Sequence, residues 1–332
     1  MMPIDLEPIR AIELSEIRAA RERISGTIVR TPLVRLDAGP GHADIRLKLE
    51  NLQPINAYKL RGAANAVAML SETARERGVW TISAGNAGQG VAYAARQAGV
   101  QCAVVTFDTA PAAKIQRMEA LGATVIKAPL EAAWRALGER SFPGVEGTFV
   151  HPFDDHDFIA GHGSIGLEIL EDEPDTAAII VPVGGGGLIT GIGSAIKSLQ
   201  PRIKIWGVEP ETAAPAERSF RMGSAQAFAD WKPSFVDGSG ARSVFPRMWE
   251  RMKPVVDDYL VVTLEQTRNA IRLMAEKSRI ISEGAGALAL AAALTGRAGP
   301  GPIVVIVSGG NIDLDVFCQI LQPEAVRDRV GA

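Results

Sequence analysis

Cysteine is scarce in this chain of 332 residues: there are two, Cys102 and Cys318. Both sit in apolar stretches, CAVV and FCQIL, and neither has another cysteine or a histidine at metal-ligand spacing. The pattern argues against a disulfide framework and points to two buried thiols in a reducing compartment. Basic blocks are lacking too. Lys and Arg number 35 against 38 Asp and Glu, for a net charge of −3, so nucleic acid is not an expected partner. No window approaches the roughly eighteen uninterrupted apolar residues of a membrane span. The N-terminal stretch MMPIDLEPIRAIELSEIRAARERI has no apolar core, so it does not read as a secretory signal. A cytoplasmic protein is expected.

What the chain does have is apolar bulk. Hydrophobic residues make up 47%, enough to bury a sizeable core. The length suits two domains, or one large α/β unit carrying an inserted lobe. Short β-branched runs alternate with Ala-rich helical stretches. Strands are expected at 45–49, 79–83, 102–107, 124–127, 177–183, 205–208, 259–263 and 303–308. Helices are expected at 14–23, 61–70, 88–98, 112–121, 161–170, 188–199, 264–277 and 285–295. The alternation predicts an α/β protein with mainly parallel sheets, and the strand count suits two sheets better than one. The segment 211–245 is rich in Ser, Ala, Gly and Arg and reads as a long loop.

Four turns close to strand ends carry chemistry. Ligands of open α/β sheets gather at the carboxyl ends of strands. In PVGGGGLITG a β-run ends at Val183, four glycines follow, and a helix starts near Leu188. Successive glycine N–H groups and a helix N-terminus make an anion cradle. No Lys-Ser/Thr pair follows, and Ile189 breaks the dinucleotide spacing, so neither familiar nucleotide loop fits. In LENLQPINAYKLRGAANAV, Lys59 begins a helix with Arg61 two residues on. Two cations at a positive helix end depress an amine pKa, which a Schiff-base lysine needs. A lysine in this setting, read alone, is more often a solvated surface residue. In SAGNAGQG, backbone N–H groups and the Asn86 amide suit a carboxylate or a ring hydroxyl; otherwise Ser83 or Asn86 merely caps a helix. In IVVIVSGGNIDLD, five apolar residues deliver the Ser308 hydroxyl to a glycine turn.

In this order the four segments resemble the fold-type II pyridoxal-phosphate enzymes, in particular the serine/threonine dehydratase and serine racemase family. The resemblance runs from RTPL at Arg30 to SGGN ending at Asn311. It implies the two-lobed fold of the tryptophan synthase β type, each lobe a mainly parallel sheet flanked by helices. Residues 1–75 and 156–332 would form the large cofactor lobe and 76–155 the small inserted one. It implies pyridoxal 5'-phosphate carried on Lys59. Gly184, Gly185, Gly186 and Gly187 would hold its phosphate, Asn86 its ring hydroxyl and Ser308 its pyridine nitrogen. Tyr58, where the family usually has Phe, would cover one ring face and Gly238 the other. The substrate carboxylate would sit on the turn Ser83, Ala84, Gly85, Asn86 and Ala87, with Arg135 as a further partner.

The implied reaction is loss of water and ammonia from a β-hydroxy amino acid. The substrate amine displaces Lys59, whose freed amine takes the Cα proton. The β-hydroxyl leaves, protonated by the cofactor phosphate. The product hydrolyses to a 2-oxo acid and ammonia. A neutral Ser308 at the ring nitrogen stabilises a carbanion less than a carboxylate would, favouring prompt β-elimination over transamination.

Some positions depart from the family. Its turn usually reads S-x-G-N-H, and here Ala87 replaces the His. That predicts a roomier, more apolar site, open to a β-substituent as large as phenyl. Ala84 stands where racemases place a proton-donating Ser, so racemisation is disfavoured. Glu209 opens a Glu-Pro turn at which several members bind a divalent cation, but Pro215 takes the second acid's place and Glu217 would have to compensate. No metal ligand is assigned, and a divalent or monovalent cation stays open. The chain ends soon after SGGN, so the C-terminal control domain of the isoleucine-regulated enzymes is not expected. His151, His156 and His162, in HPFDDHDFIAGHG, read as solvated loop or helix-cap residues without a catalytic role. The family implies a homodimer. The competing readings are a β-replacement or γ-elimination enzyme, a non-catalytic cofactor-binding protein, and, less well matched, a dinucleotide oxidoreductase.

Overall fold

The computed structural model describes residues 8–322. Residues 1–7 of the N-terminal stretch and 323–332 of the expected large lobe lie outside the described residues.

Six strands form one sheet and four form another. The first half of the chain gives α1 (Leu14–Ile24), β1 (Leu33–Leu36), β2 (Ile45–Lys48), α2 (Lys59–Ala68), α3 (Glu72–Arg77), β3 (Val79–Ile82), α4 (Asn86–Gln97), β4 (Cys102–Phe107), α5 (Ala112–Ala120), β5 (Thr124–Ala128), α6 (Leu130–Glu139) and β6 (Thr148–Phe149). The rest gives α7 (His156–Asp172), β7 (Ala178–Pro182), α8 (Gly187–Leu199), β8 (Lys204–Pro210), α9 (Pro215–Met222), α10 (Pro246–Met252), β9 (Asp258–Val262), α11 (Leu264–Ser278), α12 (Gly284–Ala293), β10 (Ile303–Ile306) and α13 (Leu314–Leu321).

The larger sheet runs β1-β2-β10-β7-β8-β9, parallel except for β1 against β2. The smaller runs β5-β4-β3-β6 and is all parallel. Its strands all come from between Val79 and Phe149. β7 (AIIVP) and β10 (IVVI) are buried at every position. Parallel strands covered on both faces read as continuous apolar runs, which is why both were legible. Every expected strand is present, within two residues. β1 and the two-residue β6 were not expected, being too short to show a period.

Three helices crowd the junction between the sheets. A Cβ on Gly161 of α7 would lie 2.4 Å from the Arg61 carbonyl of α2, and one on Gly191 of α8 would lie 2.5 Å from the Ile159 carbonyl of α7. Glycine at these positions lets α2, α7 and α8 close to backbone contact.

Several expectations need correction. Segment 211–245 is not one loop: α9 lies within it, and Ala227 bridges Ser243. α7 begins at His156, five residues before the expected start. Cys102 is buried, and burial pushes its thiol up to about 12, but Cys318 is exposed. α13 buries Phe317 and Ile320 and turns Cys318 outward, so the apolar run FCQIL covers only one helix face. No helix among the described residues is long and apolar enough to cross a membrane.

Candidate active site

The chain enters α2 through a stretch stitched to the end of β10. Tyr58 N–H donates to the Ser308 carbonyl at 3.0 Å, Gly310 N–H to the Asn56 carbonyl at 2.9 Å, and Ala57 bridges Gly309. Lys59 is therefore delivered beside Ser308, although the two are far apart in sequence. Its amine donates to the Pro152 carbonyl at 2.6 Å and lies 5.2 Å from the Tyr58 ring centroid and 5.5 Å from that of Phe158. Burial among these groups pushes the amine down to about 7.

Burial, and not the neighbouring cation expected from the sequence, is the cause. Arg61 points away from Lys59 into a buried ion-pair network. Its guanidinium donates to both Glu50 oxygens at 2.8 Å, and to Glu168 Oε1 at 2.6 Å and Oε2 at 2.8 Å. Lys48 completes the network with Glu168 and the Thr31 carbonyl, both at 2.6 Å. Two cations meet two carboxylates with no net charge. A fork of five N–H donors is what lets one residue bridge two carboxylates.

The tetraglycine loop leaves β7 and ends at the N-terminus of α8. Gly186 caps that helix with φ +88°, a left-handed conformation that glycine adopts without strain. Among the described residues the N–H groups of Gly184, Gly185 and Gly186 donate no hydrogen bond. A Cβ on Gly185 would stand 2.2 Å from the Phe153 ring, and one on Gly184 would be 3.4 Å from the Gly238 carbonyl. Gly185→Ala should therefore push the loop or the ring aside at a cost of about 1–3 kcal/mol. A fall in cofactor affinity of about tenfold is expected, read from a cofactor titration followed by absorbance.

Asn86 is the first residue of α4, after the Gly85 N-cap. Neither it nor Ser83 caps the helix through its side chain; Ser83 Oγ accepts instead from Gly85 N–H at 3.0 Å. Asn86 Nδ2 donates to Glu283 Oε1 at 2.7 Å, and Asn86 Oδ1 accepts from Asn311 at 2.8 Å. One amide hydrogen of Asn86 is left over. Glu283 and Asn311 had no assigned part in the sequence reading. Burial pushes the Glu283 carboxyl up to about 7; nearby Asp237 adds to this and the Asn86 amide opposes it. A Cβ on Gly238 would lie 3.3 Å from Glu283 Oε1, so the 236–238 turn packs against the same cluster. Lys114 of α5 pairs with Asp237, and Arg117 donates to Asn311 at 3.1 Å, tying the smaller sheet across the opening.

The Ser308 hydroxyl, nearly buried at the end of β10, makes no hydrogen bond among the described residues. Ser83, Ala84 and Gly85 are half-buried in the turn after β3, and Ala87 is buried. Arg135 is exposed on α6, with no hydrogen bond or ion pair among the described residues. The three histidines of HPFDDHDFIAGHG are not exposed. His151 and His162 are buried; His156 is half-buried against Glu16, and Asp155 caps α7. Phe153 and the Pro152 carbonyl, both from the HPF segment, touch the Gly185 position and Lys59. Glu209 is fully buried, and burial pushes it up to about 8. It accepts from Ala216 N–H at 3.0 Å and Glu217 N–H at 2.8 Å, capping α9, whose first residue is Pro215. The Glu217 carboxylate turns instead to Arg221.

A buried near-neutral amine, unbonded N–H groups at a helix N-terminus and a free hydroxyl at a strand end together suit an aldehyde cofactor bearing a phosphate and a ring nitrogen. The chain belongs to the pyridoxal-phosphate dependent enzymes: that family's model matches residues 24–309. Its fold is that of the fold-type II group. It is 39% identical to an L-threonine ammonia-lyase of Thermotoga maritima over 323 residues, 95% of this chain and 80% of that protein. The processed form of threonine deaminase isoform 2 from Solanum lycopersicum superposes with TM-score 0.84 at 28% identity, covering 98% of this chain and 93% of that one. A serine racemase from Dictyostelium discoideum gives TM-score 0.81 at 33% identity, covering 91% of this chain and 99% of that one.

Proposed function

We propose that the protein is a pyridoxal-phosphate dependent ammonia-lyase acting on β-hydroxy amino acids, with Lys59 as the cofactor lysine and proton-transferring base. The observation that carries this is the Lys59 amine, buried, pushed down to about 7 and held by the Pro152 carbonyl. An amine near neutral serves both as nucleophile and as base at physiological pH. When bound, the cofactor supplies an electron sink for the bond to the Cα proton. The residues do the rest. The N–H groups of Gly184–Gly187 would hold the phosphate, Ser308 the ring nitrogen and Asn86 the ring hydroxyl. Glu283 and Asn311 fix the Asn86 amide on both sides. Tyr58 and Gly238 would flank the ring. The turn Ser83–Ala87 would hold the substrate carboxylate; Arg135 would join it only if α6 brings its exposed side chain inward. We assign 1–75 with 156–332 and 76–155 to the two lobes, and expect a cytoplasmic homodimer.

Among the relatives, the threonine ammonia-lyase and deaminase support elimination. Ala84, with no hydroxyl, supports it over racemisation. Free ammonia and 2-oxo acid should form from threonine or serine at a rate that an added thiol leaves unchanged. A rate that depends on the thiol would mark a β-replacement enzyme instead.

Ala87 suggests a finer specificity, for a bulkier β-substituent such as phenyl. Ala87→His should shift the kcat/KM ratio of phenylserine to threonine toward threonine by about tenfold, within the range for filling or opening an apolar pocket. An unchanged ratio refutes this specificity.

A further inference from the structure

His162 lies on α7, fully buried, with its ring edge-on to two others. The centroid of Tyr58 is 4.8 Å away at 61°, and that of Phe158 is 4.9 Å away at 82°. The Lys59 amine sits over the same two rings, at 5.2 and 5.5 Å. Neither imidazole nitrogen has a hydrogen-bond partner among the described residues. Phenylalanine fills such a place without burying two polar atoms, each of which is costly to leave unmet. A cost of that kind persists where the polar group serves the site.

Lys59 has a complementary need. Among the described residues its amine hydrogen-bonds only to the Pro152 carbonyl. In the proposed reaction that amine is released, moves and carries a proton, so it needs a second acceptor on its path. We infer that His162 is a positioning residue for the Lys59 amine, a neutral acceptor that receives it, directly or through one internal water, when it leaves the Pro152 carbonyl. Burial, together with Lys59 and Arg61, keeps the imidazole pKa well below its ordinary value, so it accepts without adding a competing charge. The other ionisable groups around the pair are Tyr58 just before α2, Arg61 on α2, His151 before Pro152, Asp155 and Asp157 at the start of α7, and Glu283 at α12. None of them hydrogen-bonds to Lys59 or His162 among the described residues.

The inference rests on Lys59 carrying the cofactor. The test compares full-length His162→Phe and His162→Gln with the parent by visible absorption of the bound cofactor and by steady-state pH profiles. In His162→Phe the band is retained, kcat falls about tenfold, KM stays within about twofold, and the acid limb of kcat moves down by about half a pH unit. The downward sign follows because losing an acceptor destabilises the protonated amine. His162→Gln, which keeps an acceptor, recovers most of kcat and the parent limb. A parent-like profile in His162→Phe overturns the inference, as does equal loss in both variants. If His162→Phe does not fold, His162→Leu takes its place against His162→Gln on the same criteria. If Lys59→Ala keeps the visible band, the cofactor-lysine reading itself fails and takes this role with it; if that band is lost while His162→Phe matches the parent, only the role of His162 falls.

Discussion

Lys59→Ala is expected to lower turnover by at least about a thousandfold and to abolish the covalent visible band, while the protein stays folded. Removing a residue that is both nucleophile and base costs several orders of magnitude, because its two roles fail together. The cofactor contacts proposed for the glycine loop, Ser308 and Asn86 would remain, so non-covalent cofactor binding should survive in part. Burial of the amine has a second consequence, for the cofactor-free protein. Lys59 has a folded pKa of about 7 against an ordinary value of 10.5. The unfolded chain therefore binds the proton more tightly, and the native state bears the full penalty below pH 7. That penalty shrinks as pH rises and is gone above about 10.5. Lys59→Met should raise the thermal midpoint of cofactor-free protein at about pH 6, with the gain fading toward about pH 10.5. A gain independent of pH would show that desolvation of the amine is not its source.

The second large effect is structural. Arg61→Met should destabilise the protein by about 3–5 kcal/mol, because it leaves Glu50 and Glu168 buried without their shared cation. Glu50 and Arg61 are completely inaccessible to solvent, and Glu168 nearly so. Water cannot easily replace the lost partner. Arg61→Lys should recover little of this, since an ammonium cannot bridge two carboxylates as a planar fork does. Urea unfolding with an unchanged m-value is the measurement; a loss under about 1 kcal/mol would contradict the pairing. A milder loss of activity should accompany it, because the network anchors α2 and hence the position of Lys59.

The same residue shows where the sequence was legible and where it was not. Arg61 was visible as a cation two residues from Lys59, and its charge was assigned to the wrong neighbour. The partners that neutralise it, Glu50 and Glu168, lie 11 and 107 positions away. Local pattern carries no information about such pairings. The glycine loop and Ser308 could be placed from the sequence because each follows an apolar strand whose end fixes it, whereas Lys59 starts a helix and meets the end of β10 only through the fold. Glu283 meets Asn86 across 197 positions, and the Pro152 carbonyl meets Lys59 across 93, so both needed the fold. Among the elements, β7 and β10 stood out as buried parallel strands. β1, β6 and the short helices α3, α9 and α10 are too brief for periodicity to register. Cys318 and His162 were misread for opposite reasons: an apolar neighbourhood in sequence did not bury the one, and an acidic one did not expose the other.

The most direct measurement is the absorbance spectrum of the purified protein, followed by titration with threonine, serine and phenylserine while ammonia and 2-oxo acid are assayed. The account predicts a yellow protein whose band responds to substrate and which releases both products in equal amounts from at least one of the three. A protein that stays colourless after incubation with pyridoxal phosphate, or a yellow one that releases ammonia from none of them, would contradict it.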